Sequence, residues 1–340
     1  MDLKSVALFA LIWLCQVNLS VAQEQDVSYV KSGIYATEIY DIDFQKEQFD
    51  VQFWIWFIHE NESYLPWERT EVINAKSYRI VSHIREHRGN QFFDSIKMKA
   101  VIRGEWDIND YPFDQQVLTI DIEDNQQTGS DFRFLADQLP SGVEQARLPH
   151  GWTLRNIVIA STKHQYGTTF GDPNLTATDK PEYSRLQMQL TLEREGNRLF
   201  IVIFIGFILA WLLTILVYAS NCWNRLASVM NMQDLLNICI GALFAAMSNS
   251  FTLSNLLPYT TYLVLADHFQ IVTLANLIMA MLMSIWTHTS LHKTYATEAS
   301  RAASRHKLLV LNRWITVCWF GLSSAYLAHL LSFSWITVFA

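Results

Sequence analysis

The sequence predicts an all-β extracytoplasmic sandwich followed by a four-helix transmembrane domain. Three observations predict it. Residues 1–22 have the layout of a secretory signal, and residues 23–198 carry strand patterning with no cysteine. Residues 199–340 hold four apolar runs long enough to span a bilayer.

The first segment has Lys4 at its positive end, an apolar run at Val6–Leu14 and a small-x-small site at Ser20-Val21-Ala22. That run is well short of the ~20 residues a span needs, so it reads as a cleaved leader rather than a helix. Strands begin at Gly33–Tyr40, and Asp41-Ile42-Asp43-Phe44 reads as a turn. Phe49–Ile58 has the aromatic and β-branched density of a core strand. Further strands are expected at 96–103, 116–123, 152–160 and 183–193. In the last of these Leu186, Met188, Leu190 and Leu192 alternate with polar neighbours, giving one buried and one wet face. Many strands with no long helix point to a sandwich. Gly167, Gly171, Pro173 and Pro181 mark 163–182 as a long loop.

The spans are expected at about 199–219, 235–257, 262–286 and 314–339. Asp267 and His268 lie near one end of the third. The loop expected at 287–308 holds Lys293, Arg301, Arg305 and Lys307, whereas the short loop between the second and third spans has no Lys or Arg. The positive-inside rule then puts 287–308 in the cytoplasm. The expected location is the plasma (inner) membrane, multi-pass, with the β domain periplasmic or extracellular.

Charge divides along the same boundary. Residues 23–198 carry 18 Lys/Arg against 28 Asp/Glu, and residues 199–340 carry 6 against 3. An acidic exported domain argues against nucleic acid as a partner and concentrates cations at its surface. Of the four cysteines, Cys15 falls in the leader, and Cys222, Cys239 and Cys318 fall in or beside apolar helices. The exported domain therefore stands on its core without disulfides.

Two constellations carry functional information. In the second span Asp234, Ile238, Gly241, Ala245, Ser248 and Thr252 recur every three or four residues and share one helical face. Small and polar residues in such a stripe can line water if several copies meet around an axis, with Asp234 forming a carboxylate ring that favours cations. The alternative is close helix–helix packing through small residues. The second constellation is Tyr111-Pro112-Phe113-Asp114-x-Gln116, a rigid aromatic turn with one fixed charge.

His83-Ile84-Arg85-Glu86-His87 matches H-x-x-E-H, which on a helix would put two histidines on one face for zinc. No third ligand accompanies it, and there is neither a G-x-S-x-G nor a phosphate-cradling loop. The sequence calls for no enzyme activity, no cofactor and no metal.

Signal, β domain, the Tyr111–Gln116 run and four spans with a basic 3–4 loop together resemble a bacterial pentameric ligand-gated ion channel. The resemblance covers nearly all of the mature chain. Gly104 and Leu118 stand where animal members of that superfamily carry loop cysteines. Pro258-Tyr259-Thr260-Thr261-Tyr262 is similar to the segment entering the third span, and Arg301-Ala302-Ala303-Ser304-Arg305 to the short basic loop.

The resemblance implies a homo-oligomer, a pentamer, embedded in membrane lipid. It implies a small-molecule or ion ligand bound between subunits under the loop before the last strand. Tyr166, Phe170 and Tyr183 are the aromatic candidates there. It also implies that Asp114 pairs with Arg194, with Asp43 and Phe44 beside them over Pro258 and Tyr259. Permeant cations would pass along the second span. A receptor of the same fold that conducts nothing is the alternative.

Overall fold

The computed structural model describes residues 27–173, 176, 180–223, 226, 230–291 and 298–339. The leader expected at 1–22 lies outside the described residues. The N-terminal region is rich in β-sheet and is followed by four helices long and apolar enough to cross a membrane.

The β region holds ten strands among the described residues. One sheet runs β4 (Ala75–Arg88), β5 (Gln91–Arg103), β2 (Gln48–His59), β1 (Ser28–Asp43), β7 (Phe132–Ala136), and β8 (Gly142–Val143) pairs with β1. The other runs β3 (Thr70–Val72), β6 (Gln115–Asp124), β10 (Glu182–Arg194), β9 (Trp152–Gln165). Alternation decides what each sheet buries. Phe49, Val51, Phe53, Ile55 and Phe57 of β2 turn inward, as do Leu186, Met188, Leu190 and Leu192 of β10. These residues belong to one continuous core between the sheets. Roughly 25 cal/mol per Å² of apolar area is the stabilisation available to such a core in place of a disulfide.

The strands extend beyond their expected ends. β1 runs through Asp41 to Asp43, and β9 reaches Gln165, into the segment expected as loop. β4 is an edge strand in a stretch where the sequence offers only the His83–His87 motif and no expected strand. Nearly every residue on it is exposed, so it shows no alternation. On a strand, His83 and His87 sit roughly 13 Å apart, which removes the helical geometry that H-x-x-E-H needs. His83 stacks on Trp67 and His87 lies against Phe92.

The four long helices are α1 (Gly196–Cys222), α2 (Met232–Leu256), α3 (Leu265–Leu291) and α4 (Glu298–Phe339). Here the expected basic loop at 287–308 needs correction. α3 continues to Leu291 and α4 starts at Glu298, so Arg301 and Arg305 lie on a helix. Leu308 and Leu309 are already buried against the bundle, so the charged turns extend a packed helix outward. Polar contacts pin α4. Asn312, fully buried, donates to the Asn221 carbonyl and to Thr287 Oγ1, both at 2.9 Å, and Arg313 Nε donates to the Cys222 carbonyl at 3.1 Å. Cys222 and Cys239 are buried and Cys318 is exposed, all as free thiols.

Candidate functional site

The β region meets the helices where β6 and β10 begin and end. Asp114 immediately precedes β6, and Arg194 closes β10. The structure brings them together as a two-point pair. Arg194 Nε donates to Asp114 Oδ1 at 2.7 Å and Nη2 donates to Oδ2 at 3.1 Å. Asp114 is 2% exposed, so its charge is satisfied inside the protein. Gln116 Nε2 donates to Asp114 Oδ2 at 2.5 Å and to the Asp107 carbonyl at 2.6 Å, tying the pair to the loop before it.

Three rings enclose the guanidinium. Its carbon lies 4.1 Å from the Trp152 centroid, 4.7 Å from Phe44 and 5.0 Å from Tyr111. Phe44 stacks on Trp152 with an interplanar angle of 10°. Desolvated contacts of this kind are each worth on the order of 0.5–2 kcal/mol. Phe44 is therefore a buried wall of the Arg194 cage. The physical reason is its ring, which finds three aromatic partners in the β domain. Asp43 turns back on its own loop, accepting from the Lys46 backbone N–H at 2.9 Å and pairing with Lys46 Nζ at 2.8 Å.

Other residues of these loops make the crossing. Gln45 Nε2 donates to the Asn255 carbonyl at the end of α2 at 2.6 Å. Leu265 N–H, opening α3, donates to the Asn109 carbonyl at 3.2 Å. Phe113 lies 5.5 Å from Phe200 on α1. The Tyr111–Pro112 peptide is cis. Pro258 and Tyr259 border a cavity of about 540 Å³ with Ile108, and Tyr259 itself is 95% exposed. Sequence reading missed Gln45, Asn109 and Trp152, since none of them carries a local signal.

Gly196 explains how closely α1 approaches. A Cβ there would overlap the Pro112 carbonyl oxygen and come within 3.0 Å of Phe113 Cδ1. Gly196→Ala is expected to push the Tyr111–Asp114 loop off α1 and destabilise the junction by about 1–3 kcal/mol. Limited proteolysis near residue 112, faster in the variant than in the parent protein, checks this.

The aromatic candidates also gather. Tyr166 lies 5.1 Å from Phe170, 5.5 Å from Tyr183 and 4.5 Å from His164. Tyr166 donates to Glu123 Oε2 at 2.9 Å, and Arg185 Nε donates to the other oxygen of that carboxylate at 2.6 Å. Burial and the bond to Glu123 push the Tyr166 phenol up to about 12, so it stays neutral and keeps donating. Phe170, 63% exposed, stands at the open side of the cluster.

On α2 the structure shows which face is free. Leu235, Cys239, Ala242, Ala246, Asn249 and Leu253 are buried against the other helices. Asp234, Gly241, Ser248 and Thr252 of the stripe are exposed, whereas Ile238 and Ala245 are half-buried. Ile238 packs against the cluster of Val217, Tyr218 and Met283. The stripe thus runs along one flank of the free surface. The side opposite the packing face carries Phe244 and Phe251, each 72% exposed. Asp234 has a local role as well. Its Oδ2 accepts the Asn231 N–H at 3.1 Å while Asn231 Oδ1 accepts the Asp234 N–H at 3.0 Å, a capping box that starts the helix.

Neither protein-family models nor curated proteins contain a match to this chain.

Proposed function

We propose that the chain is one subunit of a pentameric ligand-gated ion channel, cation-selective, with its β domain outside the plasma membrane and α2 lining the pore. The observation that carries the reading is the free surface of α2. A helix of spanning length exposes Asp234, Asn237, Gly241, Ser248 and Thr252, which the other helices of its own chain leave uncovered. Polar groups facing lipid are costly, so other copies and water are the natural cover. The Arg194 cage and the Gln45 and Asn109 contacts supply a mechanical connection from the β domain to α1, α2 and α3. Tyr166, Phe170 and Tyr183 are the proposed ligand contacts.

A second reading, a receptor of this fold that conducts nothing, is favoured by Phe244 and Phe251. Rings of that size turned to a shared axis would close it to ions.

Purified protein reconstituted into planar bilayers separates the two. The channel reading expects single-channel currents. Asp234→Asn is expected to lower the cation-to-anion permeability ratio severalfold, read from the reversal potential in a salt gradient. Silent bilayers across a broad ligand and pH screen would leave the receptor standing.

A further inference from the structure

The outer face of the first sheet carries a cluster of cations that the domain does not neutralise. β5 alternates, with Ile96, Met98 and Ala100 buried, so Lys97 and Lys99 both turn away from the core. They stand about 7 Å apart along the strand. Arg79 of β4 is the register partner of Lys99. Directly opposed side chains in an antiparallel pair have Cβ atoms only about 4.5–5.5 Å apart, so a guanidinium and an ammonium are rooted side by side. Lys97 lies over Trp54 of β2, its register partner on the other side, with Nζ 5.8 Å from the ring centroid. Lys97 and Lys99 are half-buried, and Arg79 is exposed.

No carboxylate answers these three charges. Among the described residues, none of the three side chains makes an ion pair or a hydrogen bond. Elsewhere the domain pairs its cations, Arg85 with Asp94, Lys163 with Glu182 and Arg185 with Glu123. It has carboxylates to spare, 28 against 18 Lys/Arg in residues 23–198. The carboxylate next in register, Asp50 opposite Val101, interacts with Asp41 and Lys46 instead. Glu38, opposite Gln52, is paired with Arg147. Like charges directly opposed across two strands destabilise the pairing. An acidic domain that nevertheless gathers three unpaired cations on one face offers that face to an anion.

We propose that Arg79, Lys97 and Lys99 form a binding site for a small oxyanion carrying two or more negative charges, as a phosphoryl or diphosphoryl group does. Arg79 supplies a planar fork for two oxygens, and the lysines supply point charges from the neighbouring strand. Trp54 holds the Lys97 stem against the sheet, which fixes one ammonium before the ligand arrives. Three positive charges match a dianion better than a monoanion such as chloride, which would leave two of them unanswered. The site lies on a different sheet from the Tyr166 cluster and stands independently of the channel reading.

The test uses the full chain in detergent micelles, with pyrophosphate titrated by calorimetry in metal-free buffer at constant ionic strength. Saturable binding with half-saturation below about 1 mM is expected. Lys99→Gln should weaken it about tenfold or more. Lys180→Gln, an equal loss of charge at an exposed residue before β10, should leave it unchanged. Without ligand, Lys99→Gln relieves like-charge repulsion, so its thermal midpoint should rise by about 1–3 °C. Pyrophosphate should then raise the midpoint of the parent protein and raise that of the variant less. No saturation, or equal weakening in Lys99→Gln and Lys180→Gln, overturns the proposal. A lowered midpoint in Lys99→Gln also overturns it, because the charge would then be neutralised within the protein. If a second copy supplies the missing carboxylates, Lys99→Gln would change the mass of the assembly while pyrophosphate failed to bind, and the proposal falls. Should Lys99→Gln not fold, Arg79→Gln on the exposed edge strand carries the same comparison.

Discussion

Arg194→Gln is expected to lower the unfolding free energy of the β domain by about 3–5 kcal/mol and, if the proposed channel exists, to abolish its ligand-evoked current. The variant strands Asp114, 2% exposed, with Gln116 as its one remaining side-chain donor among the described residues. A carboxylate left in that state costs far more than the pair contributed when whole, because desolvation is no longer offset. The empty cage adds to the loss, since Phe44, Trp152 and Tyr111 all pack on the guanidinium. Asp114→Asn should be milder, because Arg194 keeps its rings and the amide still accepts one N–H. The double variant Arg194→Gln/Asp114→Asn should recover a large part of the stability lost by Arg194→Gln alone. Trp152 lies 4.1 Å from the guanidinium carbon, so tryptophan fluorescence during denaturant unfolding reads the effect directly. A change within about 0.5 kcal/mol for Arg194→Gln would mean that the pair is a surface ornament.

How this junction is built explains what the sequence could and could not reveal. The sheets and helices were legible where burial writes a period. β2 and β10 alternate, and the four apolar runs have spanning length. β4 was not legible, because an edge strand exposed on both faces has no alternation to read. Charged Arg301, Arg305 and Lys307 looked like a loop, yet polar residues cost a helix nothing where it rises above its packed part. Asp114 and Arg194 were matched through the family resemblance, since a separation of 80 residues carries no local signal. The same resemblance put Phe44 and Tyr111 at the junction, but Trp152, which completes the cage, was missed for the same reason. Phe44, Tyr111 and Trp152 come from three different segments, and only the tertiary fold converges them. The stripe on α2 shows the further limit of periodicity. A period of 3.6 finds a face but does not say which way that face turns.

Its direction is set by one tight crossing, where the second large effect is expected. Asn249 on α2 is 7% exposed, accepts the Gly206 N–H at 3.3 Å and donates to the Ile203 carbonyl. A Cβ on Gly206 would come within 2.7 Å of Asn249 Cβ and 2.9 Å of the Ala245 carbonyl oxygen. No side chain fits between the helices there, which is how glycine lets two spans approach closely. Gly206→Val is therefore expected to force α2 outward and roll it, at a cost of about 1–3 kcal/mol from overpacking. Asn249→Leu keeps the bulk but drops both polar contacts, and should cost less, about 0.6–2 kcal/mol. If the proposed pore exists, the roll matters more than the energy. In a Cys318→Ser background, Ser248→Cys should react readily with a water-soluble thiol reagent and Phe244→Cys more slowly. Adding Gly206→Val should reverse that ranking, since a rolled helix presents a different face to water. Identical labelling rates with and without the valine would show that this crossing does not orient α2.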